Sequence, residues 1–199
     1  MDSKHTLVTI FSMGLNGERA DAPALATRLG VESEVAKKEL QDLERTGMIE
    51  IDEKSARLTL KGRKRIRVVF IGGGFEIIHP GHVQTIEQAK KLGDVLVVVV
   101  ARDSTIRMRK GRNPVTSEGD RLHLLSSLRQ VDVAILGSQE NIYVTLEKVK
   151  PDVVALGYDQ QHVETDILRE GKKRGLDLRV VRLGSNQPRL KTSKILSET

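Results

Sequence analysis

The sequence predicts a doubly wound α/β fold, a parallel sheet with helices on both faces, preceded by a small α+β domain. Beyond residue 66, short apolar runs rich in Val and Ile alternate with segments of helical periodicity, which is how successive βαβ units read in a sequence. These runs lack polar alternation, as strands buried on both faces do. Before that point the pattern changes to helical stretches followed by a hairpin, and 199 residues are enough for two cores. The expected domains are residues 1–65 and 66–199.

Taken in order, apolar residues recur at three- and four-residue spacing over residues 5–15 and 22–29, predicting two helices. Gly30 closes the second. Ser33 stands where an N-cap oxygen would hold the free amides of a third helix running to about Thr46, with Val35, Leu40 and Leu43 as its apolar stripe. Gly47 ends that helix, and residues 48–51 and 57–60 read as strands around the polar turn 52–56. Three helices and a hairpin make a winged helix-turn-helix pattern. Residues 61–67 form a basic run that reads as a solvated linker. The second domain has strands expected at residues 68–71, 95–101, 131–136, 153–156 and 178–183, with helices at 82–92, 117–128, 142–149 and 165–174. In such a sheet the ligand crevice lies beyond the C-terminal strand ends.

Composition narrows the chemistry. There is no cysteine, which excludes disulfides, thiolate metal sites and a cysteine nucleophile. The longest apolar run, residues 95–101, is far too short to span a bilayer, and the N-terminus lacks the regions of a signal peptide. A cytoplasmic protein without a membrane partner is expected. The formal charge of +6 sits unevenly: residues 1–65 carry 12 Lys+Arg against 11 Asp+Glu, and residues 66–199 carry 21 against 16. An anionic partner is therefore expected at the second domain.

The first strand of that domain runs into Gly72-Gly73-Gly74-Phe75-Glu76-Ile77-Ile78-His79-Pro80-Gly81-His82, with a helix expected to start at or near His82. Glycines here would permit positive φ angles and let an anion approach the backbone amides without a Cβ in the way. A helix N-terminus adds free N–H groups, and two imidazoles three residues apart can both reach a bound phosphate. After the second strand comes a basic stretch with Arg107, Arg109, Lys110 and Arg112, expected to be a loop that closes over phosphates, and then Glu118-Gly119-Asp120-Arg121. The turn Gly157-Tyr158-Asp159-Gln160 follows another strand, and Asp159 has two readings, a contact to ribose or base and a cap for the next helix.

The segment from Gly73 to His82 resembles the Gly-Thr-Phe-Asp-x-x-His-x-Gly-His signature of the cytidylyltransferase-like nucleotidyltransferases, and the resemblance extends over roughly residues 67–196. It implies a site in which Gly73, Gly74, Phe75, Glu76, His79, Pro80, Gly81 and His82 hold a nucleoside triphosphate, with His79 and His82 stabilising charge at the α-phosphate and Lys110, a further catalytic candidate, on the basic loop that closes over the phosphates. Arg109, Asp159 and the hydroxyls of Thr192 and Ser193, in a closing Lys191-Thr192-Ser193-Lys194-Ile195 segment, complete the implied set. Gly74 stands where Thr is usual, Glu76 where Asp is usual and Lys191 where Ser is usual.

Within the family, residues 97–103, the turn at 155–160 and residues 192–195 look most like archaeal-type FAD synthases. That implies ATP and FMN as substrates, with Mg²⁺ or another divalent metal shielding the polyphosphate. Glycerol-3-phosphate cytidylyltransferase is the alternative enzyme. The alternative of another class is a nucleotide-sensing transcriptional regulator. The first domain resembles winged-helix domains of prokaryotic regulators, yet its third helix mixes Glu34, Glu39, Asp42 and Glu44 with Lys37, Lys38 and Arg45, a poor surface for DNA. DNA binding, docking of a partner and formation of a homodimer all stay open for this domain.

Overall fold

The computed structural model describes residues 2–158, 160 and 162–184. The chain divides after Arg67 into two compact units. Among the described residues no helix is long and apolar enough to cross a membrane.

In the first unit α1 (Ser3–Leu15) is capped by Asp2, which accepts from the Lys4 N–H at 3.0 Å. Asp21 does the same for α2 (Ala22–Leu29), and Gly30 ends it at φ 65. In α3 (Ser33–Arg45) the expectation is off by one residue: the N-cap is Glu32, with no side-chain cap bond, and Ser33 is already helical. The buried stripe is Ala36, Leu40 and Leu43, while Val35 is exposed. Strands β1 (Ile49–Asp52) and β2 (Ser55–Leu58) pair antiparallel with Asp52 opposite Ser55. The turn is thus only Glu53 and Lys54, both at positive φ, as a tight two-residue hairpin requires.

The basic run is not simply a linker. Thr59 caps a short helix, α4 (Leu60–Arg63), by accepting from the Gly62 N–H, and Lys61 Nζ donates to the Thr46 carbonyl at 2.7 Å. A Cβ on Gly62 would lie 1.9 Å from the Met48 carbonyl oxygen, so only glycine fits this approach.

The second unit carries a parallel sheet in the order β5-β4-β3-β6-β7. Its strands are β3 (Val68–Gly73), β4 (Val95–Val100), β5 (Val133–Leu136), β6 (Val153–Leu156) and β7 (Arg179–Arg182). The helices are α5 (Pro80–Lys90), α6 (Asp103–Lys110), α7 (Glu118–Ser126), α8 (Ile142–Val149) and α9 (Glu164–Lys173). Side chains alternate across a strand, and both faces are buried here: Val69, Ile71, Leu96 and Val98 pack with Ile86, Ala89 and Leu125 of α5 and α7, while Val68, Phe70 and Val97 are equally covered on the opposite face.

Aspartates anchor the N-terminal sheet edge. Asp152, just before β6, accepts from the Val68 N–H at 2.6 Å. Asp132, just before β5, accepts from the Leu96 N–H at 2.6 Å and from Lys90 Nζ at 2.5 Å. β5 begins at Val133 and not at Val131, whose N–H is taken by the Leu128 carbonyl at 3.0 Å in the turn after α7. The chain fills the sheet from β3 to β5 in one direction, then restarts beyond β3 with β6. The reversal puts the switch point, where open sheets of this type bind ligands, between the carboxyl ends of β3 and β6.

Candidate active site

At the switch point three successive carbonyls leaving β3 are each held by a different element. Gly72 O accepts from Gln160 Nε2 at 2.5 Å, Gly73 O from the Ala101 N–H at 2.9 Å, and Gly74 O from Arg121 Nη1 at 2.6 Å. A trans peptide sets C=O and N–H on opposite sides, so anchoring the Gly74 carbonyl also fixes the direction of the Phe75 N–H.

The glycines serve close approach and not the positive φ expected of them. None of Gly72, Gly73 and Gly74 is left-handed; Phe75 is, at φ 50. That conformation folds the Phe75 ring back over Gly73, where an added Cβ would meet it at 2.8 Å. A Cβ on Gly74 would meet Ile106 Cδ1 at an ordinary 3.7 Å. Gly73→Ala is therefore expected to cost about 1–3 kcal/mol by overpacking, and Gly74→Ala far less. Parallel melts of the two variants check this, and equal losses would contradict it.

Helix α5 starts at Pro80, two residues before the expected position. Proline is suited to the first turn, where its missing N–H is not needed. His79 becomes the N-cap, and its carbonyl accepts from the His82 N–H at 2.8 Å. Both imidazoles thus sit at the helix end that favours negative charge. Their centroids are 3.9 Å apart, and the His82 ring also packs 5.3 Å from Phe75. Gly81 lies in the first turn of the same helix, with its carbonyl accepting from Thr85 Oγ1 at 2.9 Å.

The expected basic loop is largely a helix. Residues Asp103–Lys110 form α6, closed by Gly111 at φ 67, and its last turn holds Arg107, Arg109 and Lys110 at the end favoured by cations. Lys110 pairs with Glu76, and Arg112 bonds the same carboxylate at 2.7 Å. Burial is the largest influence on the Glu76 carboxyl and pushes its pKa up. Bonds from Arg112 and Lys110, the Lys110 charge and the Val115 N–H together outweigh it and hold the pKa below the ordinary carboxylate value. Glu76 is thus expected to be ionised at neutral pH. Arg109 is exposed, and its charge is felt by His162 in the segment after β6: burial first, then repulsion from Arg109 and Arg182, lowers the His162 pKa.

Several residues that organise the site were given no individual role by the sequence reading. Arg121 is 1% exposed and donates to Thr116 O, Gly74 O, Ala101 O and the Asp103 carboxylate, so it ties the ends of β3 and β4 to α6 and α7. Its signal was present: it lies four residues before the buried Leu125, a charge on the core stripe of α7. Arg102 bonds Gly137 O and Glu118, whose other oxygen accepts from the Asp103 N–H at the start of α6. Arg182 donates to the carbonyls of Gly157, Gln160 and His162, fixing the turn beyond β6. Asp159, Lys191, Thr192 and Ser193 lie outside the described residues.

Comparison with known proteins agrees with this architecture. Residues 70–197 match the cytidylyltransferase-like family. The chain is 49% identical over 115 residues to the FAD synthase of Aciduliprofundum boonei, covering 58% of this chain and 76% of that one. It is 45% identical over 136 residues to the FAD synthase of Pyrococcus horikoshii, covering 67% and 91% respectively. Among solved structures it resembles the lipopolysaccharide core biosynthesis protein of Thermoplasma volcanium, at 43% identity and a TM-score of 0.58 over 60% of this chain and 98% of that one. With a family match over most of its length and relatives this similar across most of theirs, the chain belongs to the cytidylyltransferase-like family.

Proposed function

We propose that this protein is an FAD synthase, transferring AMP from ATP to the phosphate of FMN with release of pyrophosphate. The observation that carries the reading is the pair of imidazoles packed together at the N-terminus of α5, beside a glycine turn whose three carbonyls are each hydrogen-bonded. The identities of 45–49% to FAD synthases favour FMN as the acceptor.

An FMN phosphate oxygen attacks the α-phosphorus of ATP as the bond from that phosphorus to the oxygen bridging the β-phosphate breaks, and pyrophosphate leaves with that electron pair. The attacking oxygen is already ionised near neutral pH, so no general base is required. The work of the protein is to hold the two anions in line and to place donors where negative charge accumulates. His79 and His82 supply these donors at the α-phosphate, Lys110 adds a positive charge over the phosphates, and the backbone from Gly73 to Phe75 lets the chain approach closely. Arg109, Pro80 and Gly81 belong to the same proposed site, and Asp159, Thr192 and Ser193 keep the roles that the family resemblance implies.

Among the described residues no three acidic or histidine side chains converge as a metal cage, and Glu76 is already engaged by two cations. These residues do not fit a resident ion. A divalent metal instead enters with the triphosphate as part of the substrate.

The first unit reads as a winged helix whose α3 pairs Lys37 with Glu34 and Arg45 with Asp42, which supports docking or self-association over tight DNA binding.

Incubation of the chain with ATP, Mg²⁺ and FMN is expected to yield FAD, read directly by chromatography. CDP-glycerol from CTP and glycerol 3-phosphate, with no FAD, would overturn the choice of acceptor and base.

A further inference from the structure

The Glu76 carboxylate accepts from Lys110 Nζ, from Arg112 Nη1 at 2.7 Å and Nη2 at 3.2 Å, and from the Val115 N–H at 3.3 Å, while the Glu76 carbonyl accepts from Thr116 Oγ1 at 3.1 Å. All these donors come from residues 110–116, so Glu76 ties that segment to the glycine turn. The arrangement is one-sided. The Glu76 side chain is 1% exposed, whereas those of Lys110 and Arg112 are 41% and 37% exposed. An ammonium has three N–H donors and a guanidinium five, more than one carboxylate can absorb. One carboxylate against two cations also leaves a net positive charge at the mouth of the site. Without an anion between them, Lys110 and Arg112 would repel each other out of this placement.

We propose that Glu76 is a positioning residue that does not touch the nucleotide, and that Arg112 joins Lys110 as a triphosphate-binding residue held over the glycine turn by it. The proposal rests on reading the site as an ATP site. It departs from the role that the resemblance implies for Glu76, and it gives a task to the extra methylene relative to Asp: reach to both cations at once.

Calorimetric titration of the full chain with Mg-ATP, without FMN, separates the alternatives by sign. If Glu76 merely competed with phosphate for the cations, Glu76→Gln would tighten ATP binding. Positioning requires the reverse, a weakening of about tenfold, the scale of losing well-placed charged hydrogen bonds. Arg112→Ala should weaken ATP by a similar factor, and in turnover it should raise the KM for ATP while leaving that for FMN within about twofold. Glu76→Asp should recover part of the affinity. In a Lys110→Ala, Arg112→Ala background, adding Glu76→Gln should change little, because Glu76 acts through those two side chains. Equal or tighter ATP binding by Glu76→Gln overturns the proposal. Should that variant fail to fold, unchanged ATP affinity in Arg112→Ala overturns it equally. Because affinities are read without FMN, failure to form FAD overturns the acceptor assignment alone, and the titrations still decide for or against Glu76.

Discussion

His79→Ala and His82→Ala are each expected to lower turnover by about a hundredfold or more, the scale of losing a preorganised donor at a charge-developing oxygen. Folding should change little, because neither ring is a core residue and the N-cap carbonyl of His79 survives the substitution. The two variants should differ in one respect. His82 packs against both Phe75 and His79, so its loss takes one neighbour from the Phe75 ring, whereas His79 contacts only the neighbouring imidazole among the ring pairs described. His82→Ala is therefore expected to show the larger rise in the KM for ATP. Pyrophosphate release gives turnover, and near wild-type rates in either variant would remove that histidine from the mechanism.

Much of this site was legible because its parts are local. A buried strand, a glycine turn and paired histidines are adjacent in the chain, so the sequence places them at one strand end without any knowledge of tertiary contacts. The misreadings have physical causes. Alpha helix α6 was taken for a loop because it buries only Ile106, and a helix resting on one residue leaves no apolar stripe to detect. Its cues were at its ends: Gly111 as C-cap and the cations gathered in the last turn. In α3, Val35 was assigned to the core because it is apolar, but the stripe runs through the smaller Ala36. The glycine turn was credited with positive φ as well as with room for an anion, yet none of its glycines is left-handed, and Gly73 yields space to a ring two residues away. Long-range links such as Gln160 to Gly72 and Arg121 to Gly74 join residues 88 and 47 positions apart, beyond the reach of any periodicity.

Arg121→Met is expected to destabilise the second unit by about 3–5 kcal/mol, the range for breaking a buried ion pair by removing one partner. Methionine keeps much of the volume, so the cost is electrostatic and not that of a cavity. The Asp103 carboxylate, bonded at 2.5 Å, would lose its guanidinium partner. The carbonyls of Thr116, Gly74 and Ala101 would lose a donor together, and Arg121→Lys cannot compensate, since one ammonium with three donors does not span four acceptors. Activity should fall beyond what the unfolded fraction explains, because freeing the Gly74 carbonyl lets the 74–75 peptide rotate and the Phe75 N–H turn with it. Urea unfolding of the full chain, following the transition that Mg-ATP shifts, isolates the second unit from the first. A methionine variant within about 1 kcal/mol of wild type, with full turnover below its transition, would mean that strand packing alone fixes the glycine turn.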